Sequence, residues 1–364
     1  MLSTRYLGPC TLIVLSLLAI AVGEGWQTQP KQPAIQASIP SGPSTPYVTM
    51  FQIKQNSTDP SPLLVSPAGD KTVWVVTEGY GKHAISQLVN FTMGAIPKRV
   101  ATLPNAFPSD LVYDNVTMDN TKRVWLLENN SLAYYNPVAK SITVAETFLG
   151  SPWFMTIDHN DHFWITLTGP DQIVEYQPGG ISVSHNITNS CATATYGCGL
   201  QGITLDPRDD SLWFAETYVG SIGHMTCISA SQCSMTDFSP PSGINTAGLI
   251  QVALDKNGLV WFTLHDGNEF GNFNPATREW RVFPIGYCPD SYVNGCESGL
   301  PNAIFLDSRG QVWFSEHIAG RVATFIPSNG SGPKYGTLIE YNLPTHSTVC
   351  STNCDPLVWW MRPG

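Results

Sequence analysis

One phrase recurs six times along this chain, and it leaves few folds open. It reads Val73-Trp74-Val75-Val76-Thr77-Glu78, Val124-Trp125-Leu126-Leu127-Glu128, Phe163-Trp164-Ile165-Thr166, Leu212-Trp213-Phe214-Ala215-Glu216, Val260-Trp261-Phe262-Thr263-Leu264-His265 and Val312-Trp313-Phe314-Ser315-Glu316-His317. Successive tryptophans are 51, 39, 49, 48 and 52 residues apart, about 48 on average. A period of this size marks a repeat architecture. Each phrase follows a short apolar run ending in Asp and a turn, as in Ile304-Phe305-Leu306-Asp307 with Ser308-Arg309-Gly310. Two further runs follow it, as in Arg321–Ile326 and Gly336–Leu343. The runs are rich in β-branched and aromatic residues and are broken by turn formers, so they read as strands. No 3.6-residue period survives over 11 residues after the N-terminal segment.

Four short antiparallel strands repeated every ~48 residues describe the blades of a β-propeller, an all-β fold. A lone four-stranded sheet cannot bury both faces, so the repeated Trp is expected between blades. Six phrases give six complete blades. Tyr47–Lys54 and Asp355–Met361 read as the outermost and innermost strands of one more, without its two middle strands. The expectation is a seven-bladed design with the last blade incomplete, the alternative a six-bladed ring.

Met1–Gly23 reads as a secretory signal. Arg5 is its positive end, Thr11–Val22 its apolar stretch and Ala21-Val22-Gly23 a small-x-small cleavage site. Retention as a short anchor is the alternative. Residues 24–46 hold five prolines and no apolar period, and read as a linker or stalk. Residues 47–364 form the propeller domain. Lys+Arg is 18 against Asp+Glu 28, a net charge of −10, and cleavage makes it 17 − 28 = −11. That balance excludes nucleic acid as the main partner, because its binders concentrate positive charge.

Cys10 lies in the signal. The other eight cysteines form four short pairs, Cys191/Cys198, Cys227/Cys233, Cys288/Cys296 and Cys350/Cys354. Local disulfides in an oxidising compartment are the simplest reading. No pair has C-x₂-C spacing, so a zinc reading is weaker. Asn56, Asn90, Asn115, Asn129, Asn186 and Asn329 head glycosylation sequons.

Trp213-Phe214-Ala215-Glu216 and Trp313-Phe314-Ser315-Glu316, with Gly220-Ser221-Ile222-Gly223 and Gly320-Arg321-Val322 after them, resemble the virginiamycin B lyase (streptogramin lyase) group. The resemblance runs from about Pro60 to Gly364. It implies a seven-bladed propeller. It also implies a lyase that opens a cyclic depsipeptide by elimination, with a His base and a Mg²⁺ held by two Glu. The family's Glu-Pro-His phrase corresponds to Asp355, Pro356 and Leu357 here, and a substrate-binding His falls at Asn302. Asp355 can keep a ligand role, but Leu357 cannot take a proton.

Independently of the resemblance, positions three and four after each Trp form a ring near one end of the axis. They hold Glu78, Glu128, Glu216, His265, Glu316 and His317. Glu216, His265, Glu316 and His317, with Asp355, are the candidate ligands for a divalent metal, Mg, Mn or Zn. The alternative is that these Glu bond to the backbone of the adjacent blade. His83, His159, His162, His185, His224 and His346 show no ligand spacing, so surface or turn roles are expected. Tyr196, Tyr218, Tyr287, Tyr292 and Trp280 can line a carbohydrate or peptide surface, or pack.

The leading expectation is a secreted or cell-surface, monomeric propeller that binds a small molecule, glycan or protein at one end. The alternatives are a metal-dependent lyase or hydrolase, and an adhesion or surface-layer component. A membrane enters only if the N-terminal segment is retained.

Overall fold

The computed structural model describes residues 61–68, 72–78, 87–92, 98–103, 108–113, 122–177, 179–187, 195–229, 232–246, 248–285, 299–316, 319, 321–328, 335–342 and 361. All belong to the unit Pro33–Gly364. The signal and linker assigned to residues 1–46 lie outside them.

The described residues form a β-propeller of six four-stranded antiparallel sheets, each a simple meander. Blade one is β1 Ser61–Pro67, β2 Thr72–Glu78, β3 Gln87–Thr92 and β4 Lys98–Thr102; blade two is β5 Pro108–Tyr113, β6 Val124–Glu128, β7 Ser131–Asn136 and β8 Ser141–Thr147. Blade three is β9 Ser151–Ile157, β10 Phe163–Thr168, β11 Gln172–Gln177 and β12 Ile181–Asn186; blade four is β13 Leu200–Leu205, β14 Leu212–Glu216, β15 Ser221–Ser229 and β16 Gln232–Phe238. Blade five is β17 Leu249–Leu254, β18 Val260–Leu264, β19 Glu269–Asn274 and β20 Glu279–Pro284; blade six is β21 Pro301–Leu306, β22 Val312–Glu316, β23 Arg321–Pro327 and β24 Gly336–Asn342. The first strands of successive blades, β1, β5, β9, β13, β17 and β21, lie side by side and so are the innermost. The blade count is the six of the alternative expectation, one sheet for each Trp phrase. The segments assigned to a seventh, 47–54 and 355–361, lie outside the described residues apart from Met361.

Five apolar clusters fill the five junctions between consecutive blades, from Leu64, Trp74 and Leu126 between blades one and two to Trp261, Phe270 and Phe314 between five and six. Trp74, Trp125, Trp164, Trp213 and Trp261 each sit in one of them, as the repeat predicts. Trp313 is half-buried and stacks on Tyr341 instead, because its blade is the last of the described series. A fully buried aromatic ring contributes about 2–3 kcal/mol, so these junctions hold the blades together.

At one end of blades three to six, here the lower end, the innermost strand turns into the Trp strand through an Asp; blade one has Ala68 there. Asp158 accepts from the Asn160 and His162 amides and from the Trp164 indole; Asp307 accepts from the Arg309 and Gln311 amides and from the Trp313 indole. Asp255 accepts from the Asn257 and Leu259 amides, and Asp206 from the Arg208 amide and guanidinium. The Asp that ends the first strand of blades three to six is therefore the clasp of a tight turn.

Candidate functional site at the upper end

The opposite end carries the finish of each Trp strand, the turns into the third strands and the connections between blades. There the pairing of the innermost strand with its neighbour slips in all six blades, between Pro62/Leu64, Pro108/Asp110, Pro152/Met155, Leu200/Ile203, Leu249/Gln251 and Pro301/Ile304. The residues left over are 63, 109, 153–154, 201–202, 250 and 302–303. Such bulges re-aim side chains and often sit beside binding sites.

In part of the ring the Trp phrase itself holds these bulges. In blades three and six the hydroxyl two residues after the Trp takes the stranded amide: Phe154 N donates to Thr166 Oγ1 at 3.2 Å, and Ala303 N to Ser315 Oγ at 3.0 Å, whereas Val76, Leu127 and Ala215 carry no hydroxyl there. The same position reaches the next blade, where Thr166 Oγ1 donates to Gln201 O at 2.6 Å and Thr263 Oγ1 to Asn302 O at 2.8 Å. The frame repeats, but the residues it holds do not: Leu63, Ser109, Trp153, Gln201, Ile250 and Asn302 are six different types.

Trp153 is 38% exposed, whereas Gln201 and Asn302 are buried at 8% and 4%. Below this level the innermost strands of blades three to six line a half-open pocket of about 250 Å³, with Phe154, Ile203, Gln251, Ala253, Ile304 and Met361 among its walls. Tyr196, Tyr218 and Leu149 stand exposed on the neighbouring connections and turns. Gly199 must be glycine here: its φ is +62°, and a Cβ would sit 2.5 Å from the Tyr218 ring. Sequence reasoning missed Trp153. Its signal was a Trp outside the phrase, at the start of an innermost strand.

The connections are clamped from the turns. Asp171 accepts from the amides of Cys198 and Gly199 at 2.9 and 3.0 Å. Asn268 plays the same part in blade five, taking the Gly299 amide at 2.7 Å and donating to Ile285 O.

The ring carboxylates lie deeper. Glu128, Glu216 and Glu316 are wholly buried. Glu316 is held by its own blade's Arg321, with Nε at 2.7 Å and a terminal nitrogen at 2.6 Å, rather than by backbone of the next blade. Burial pushes Glu316 up to about 7, opposed by Arg321 and helped by Glu340. Burial likewise pushes Glu269 up to about 6. His265 is partly exposed, with Nδ1 3.0 Å from Asp266. Among the described residues, no three His, Cys, Asp or Glu side chains are placed so that they could hold a metal ion. His317, Asp355 and Leu357, and the side chain of Glu78, lie outside the described residues.

The other expected residues fall as follows. Cys227 and Cys233 form a disulfide across the β15–β16 hairpin, and Cys198 is disulfide-bonded. Cys191, Cys288, Cys296, Cys350 and Cys354 lie outside the described residues. Asn129 and Asn186 are exposed and Asn90 is half-buried; Asn56, Asn115 and Asn329 lie outside. Trp280 is core, against Phe262 and Phe273. Tyr287, Tyr292, His83 and His346 lie outside. His159 pairs with Asp210, and His224 stacks on Trp213 at 4.1 Å. His162 and His185 are brought together, although their spacing in the sequence gave no sign of it.

Solved structures show the same fold. A streptogramin B lyase structure aligns with a TM-score of 0.60 at 20% identity, covering 79% of this chain and 85% of that one. Virginiamycin B lyase from Staphylococcus aureus gives 0.61 at 20%, covering 81% and 88%. A periplasmic gluconolactonase from Pseudomonas aeruginosa gives 0.53 at 13%, covering 78% and 89%. No family model and no curated protein matches the chain. The likeness to the lyase group is one of fold.

Proposed function

We propose that this chain is an exported, disulfide-stabilised propeller that binds a small molecule, glycan or protein at its upper end. The observation that carries the reading is the ring of bulges. Six innermost strands share one bulge, a hydroxyl of the Trp phrase holds its amide in blades three and six, and six different residue types stand at it. A repeated frame with non-repeating occupants suits recognition rather than packing. An exposed Trp in the same series of bulges as two buried amides also suits a ligand site, apolar with a few placed polar groups. The signal-like N-terminus, the disulfides and the extracytoplasmic setting of relatives such as the periplasmic gluconolactonase support export. Leu357 in place of a base favours binding over elimination.

The second reading is a metal-dependent lyase or hydrolase of the same architecture, using Glu216, His265, Glu316, His317 and Asp355. It draws on Glu269, whose carboxyl burial pushes up to about 6, toward the range a general acid uses.

Calorimetry with a cyclic depsipeptide such as quinupristin, a sugar lactone and neutral oligosaccharides, with and without Mg²⁺, separates the two. Binding without product, weakened at least ~10-fold by Trp153→Ala and by Asn302→Ala, is expected. Affinity untouched by both substitutions, or ring-opened product, overturns the reading.

A further inference from the structure

The pocket between the innermost strands of blades three to six runs from the bulges, at Phe154 and Ala303, to Leu306 just ahead of an Asp turn. Among the described residues that line it, none is charged. The chain as a whole carries a net charge of −10. An ionic ligand would lie in this pocket without a counter-charge, at a high desolvation cost. The occupant that suits such a wall is neutral.

The wall is nonetheless well supplied with hydrogen-bonding groups. Each innermost strand is the edge of its sheet, and within that sheet it pairs with the Trp strand alone. Its other edge turns backbone N–H and C=O groups toward the axis. Side chains add to these unequally. The residue that pairs with the repeated Trp is Thr156 in blade three and Thr204 in blade four, but Ala253 in blade five and Phe305 in blade six. All four line the pocket. Here, as at the bulges, the position recurs and the residue type does not. Gln251 is the amide of the wall. It reaches across to blade four, where a Cβ on Gly202 would lie 2.7 Å from Gln251 Cα and 2.9 Å from its Oε1. Phe305 is half-buried and belongs to none of the apolar clusters. The pocket thus combines two hydroxyls, an amide and an aromatic residue that the core does not use.

We propose that this pocket seats one neutral sugar ring. The inference rests on the reading of this end of the propeller as a binding site and names the class of its ligand. A sugar hydroxyl both donates and accepts, as do the Thr156 and Thr204 hydroxyls, and the Gln251 amide offers one group of each kind. The C–H face of the ring needs a flat apolar partner, which Phe305 supplies. Size agrees. The volume of about 250 Å³ falls just short of the roughly 300–1,000 Å³ of pockets for drug-sized ligands. It admits a single sugar ring and not a cyclic depsipeptide.

The test is a ligand-observed NMR titration of the full chain with glucose, galactose, mannose and N-acetylglucosamine, and with glucuronate as the charged control. Saturable binding of at least one neutral sugar is expected, with glucuronate at least ten-fold weaker. Gln251→Leu and Thr204→Val are each expected to weaken the neutral sugar about ten-fold. Thr204→Val keeps the shape of the side chain and decides the matter if Gln251→Leu does not fold by circular dichroism. No neutral sugar bound, or full affinity in either folded variant, overturns the proposal. If quinupristin binds and Trp153→Ala weakens it while no monosaccharide binds, this inference fails and the upper-end reading stands. Sugar binding that responds to Gln251→Leu but not to Trp153→Ala upholds the pocket and removes the bulges from the site.

Discussion

The two ends of the propeller are built from the same repeat and have come to different uses. At the lower end, Asp158, Asp206, Asp255 and Asp307 stand at the same place and do the same thing, closing a turn with their carboxylates. At the upper end the backbone repeats as faithfully, bulge for bulge, but Trp153, Gln201, Ile250 and Asn302 are four different residues. Where geometry and residue type both recur, the residue serves the fold. Where only the geometry recurs, the residue is free to serve something else.

The largest effect that sharpens this contrast is expected from the lower end. Asp307→Ala removes three hydrogen bonds and is expected to lower unfolding free energy by about 2–3 kcal/mol in a urea titration, while Trp153→Ala costs under about 1 kcal/mol. Equal losses would break the comparison. Next, Cys227→Ser with Cys233→Ser opens a short loop on the outer hairpin and is expected to cost about 2 kcal/mol without touching ligand affinity. Thr263→Val deletes the hydroxyl that pins Asn302 O. It is expected to cost about 1 kcal/mol and, unlike the disulfide change, to weaken binding as well.

The smallest effect is a pH slope at the lower half of blade four. Burial against Trp213 holds His224 below its usual pKa, despite Asp209 and Asp206 nearby. The native state therefore binds that proton less readily than the unfolded chain. Its contribution is full above about 6.5 and shrinks as pH falls from there toward the native value. Thermal melts of His224→Phe between pH 7.5 and 5 are expected to lose less stability on acidification than wild type. An identical slope would remove His224 from the account.

The propeller was legible in the sequence because burial between blades demands a large aromatic at a fixed place, and six Trp phrases announce it. The strand limits of blade six follow the sequence reading to within a few residues, β22 at Val312–Glu316 among them. The Asp turns were visible as well, though not their partners. The bulges were not legible. A bulge is a mismatch between two strands, and neither Ser151-Pro152-Trp153 nor Pro301-Asn302-Ala303 shows it alone. The meeting of His162, Glu175 and His185 was hidden for a related reason. It depends on cross-strand register over β10, β11 and β12, which spacing along one strand does not encode. The Glu that end the Trp strands were legible as a repeat, but burial at Glu128, Glu216 and Glu316 places these carboxylates inside the wall rather than at its surface.

Hydrogen–deuterium exchange on the full chain, with the best-bound member of the depsipeptide, lactone and saccharide panel, tests the central claim most directly. Protection is expected at residues 151–155, 200–203, 249–251 and 301–304, the bulged segments of blades three to six. Protection confined to the Asp turns at 158–162, 206–211, 255–259 and 307–311 would contradict it.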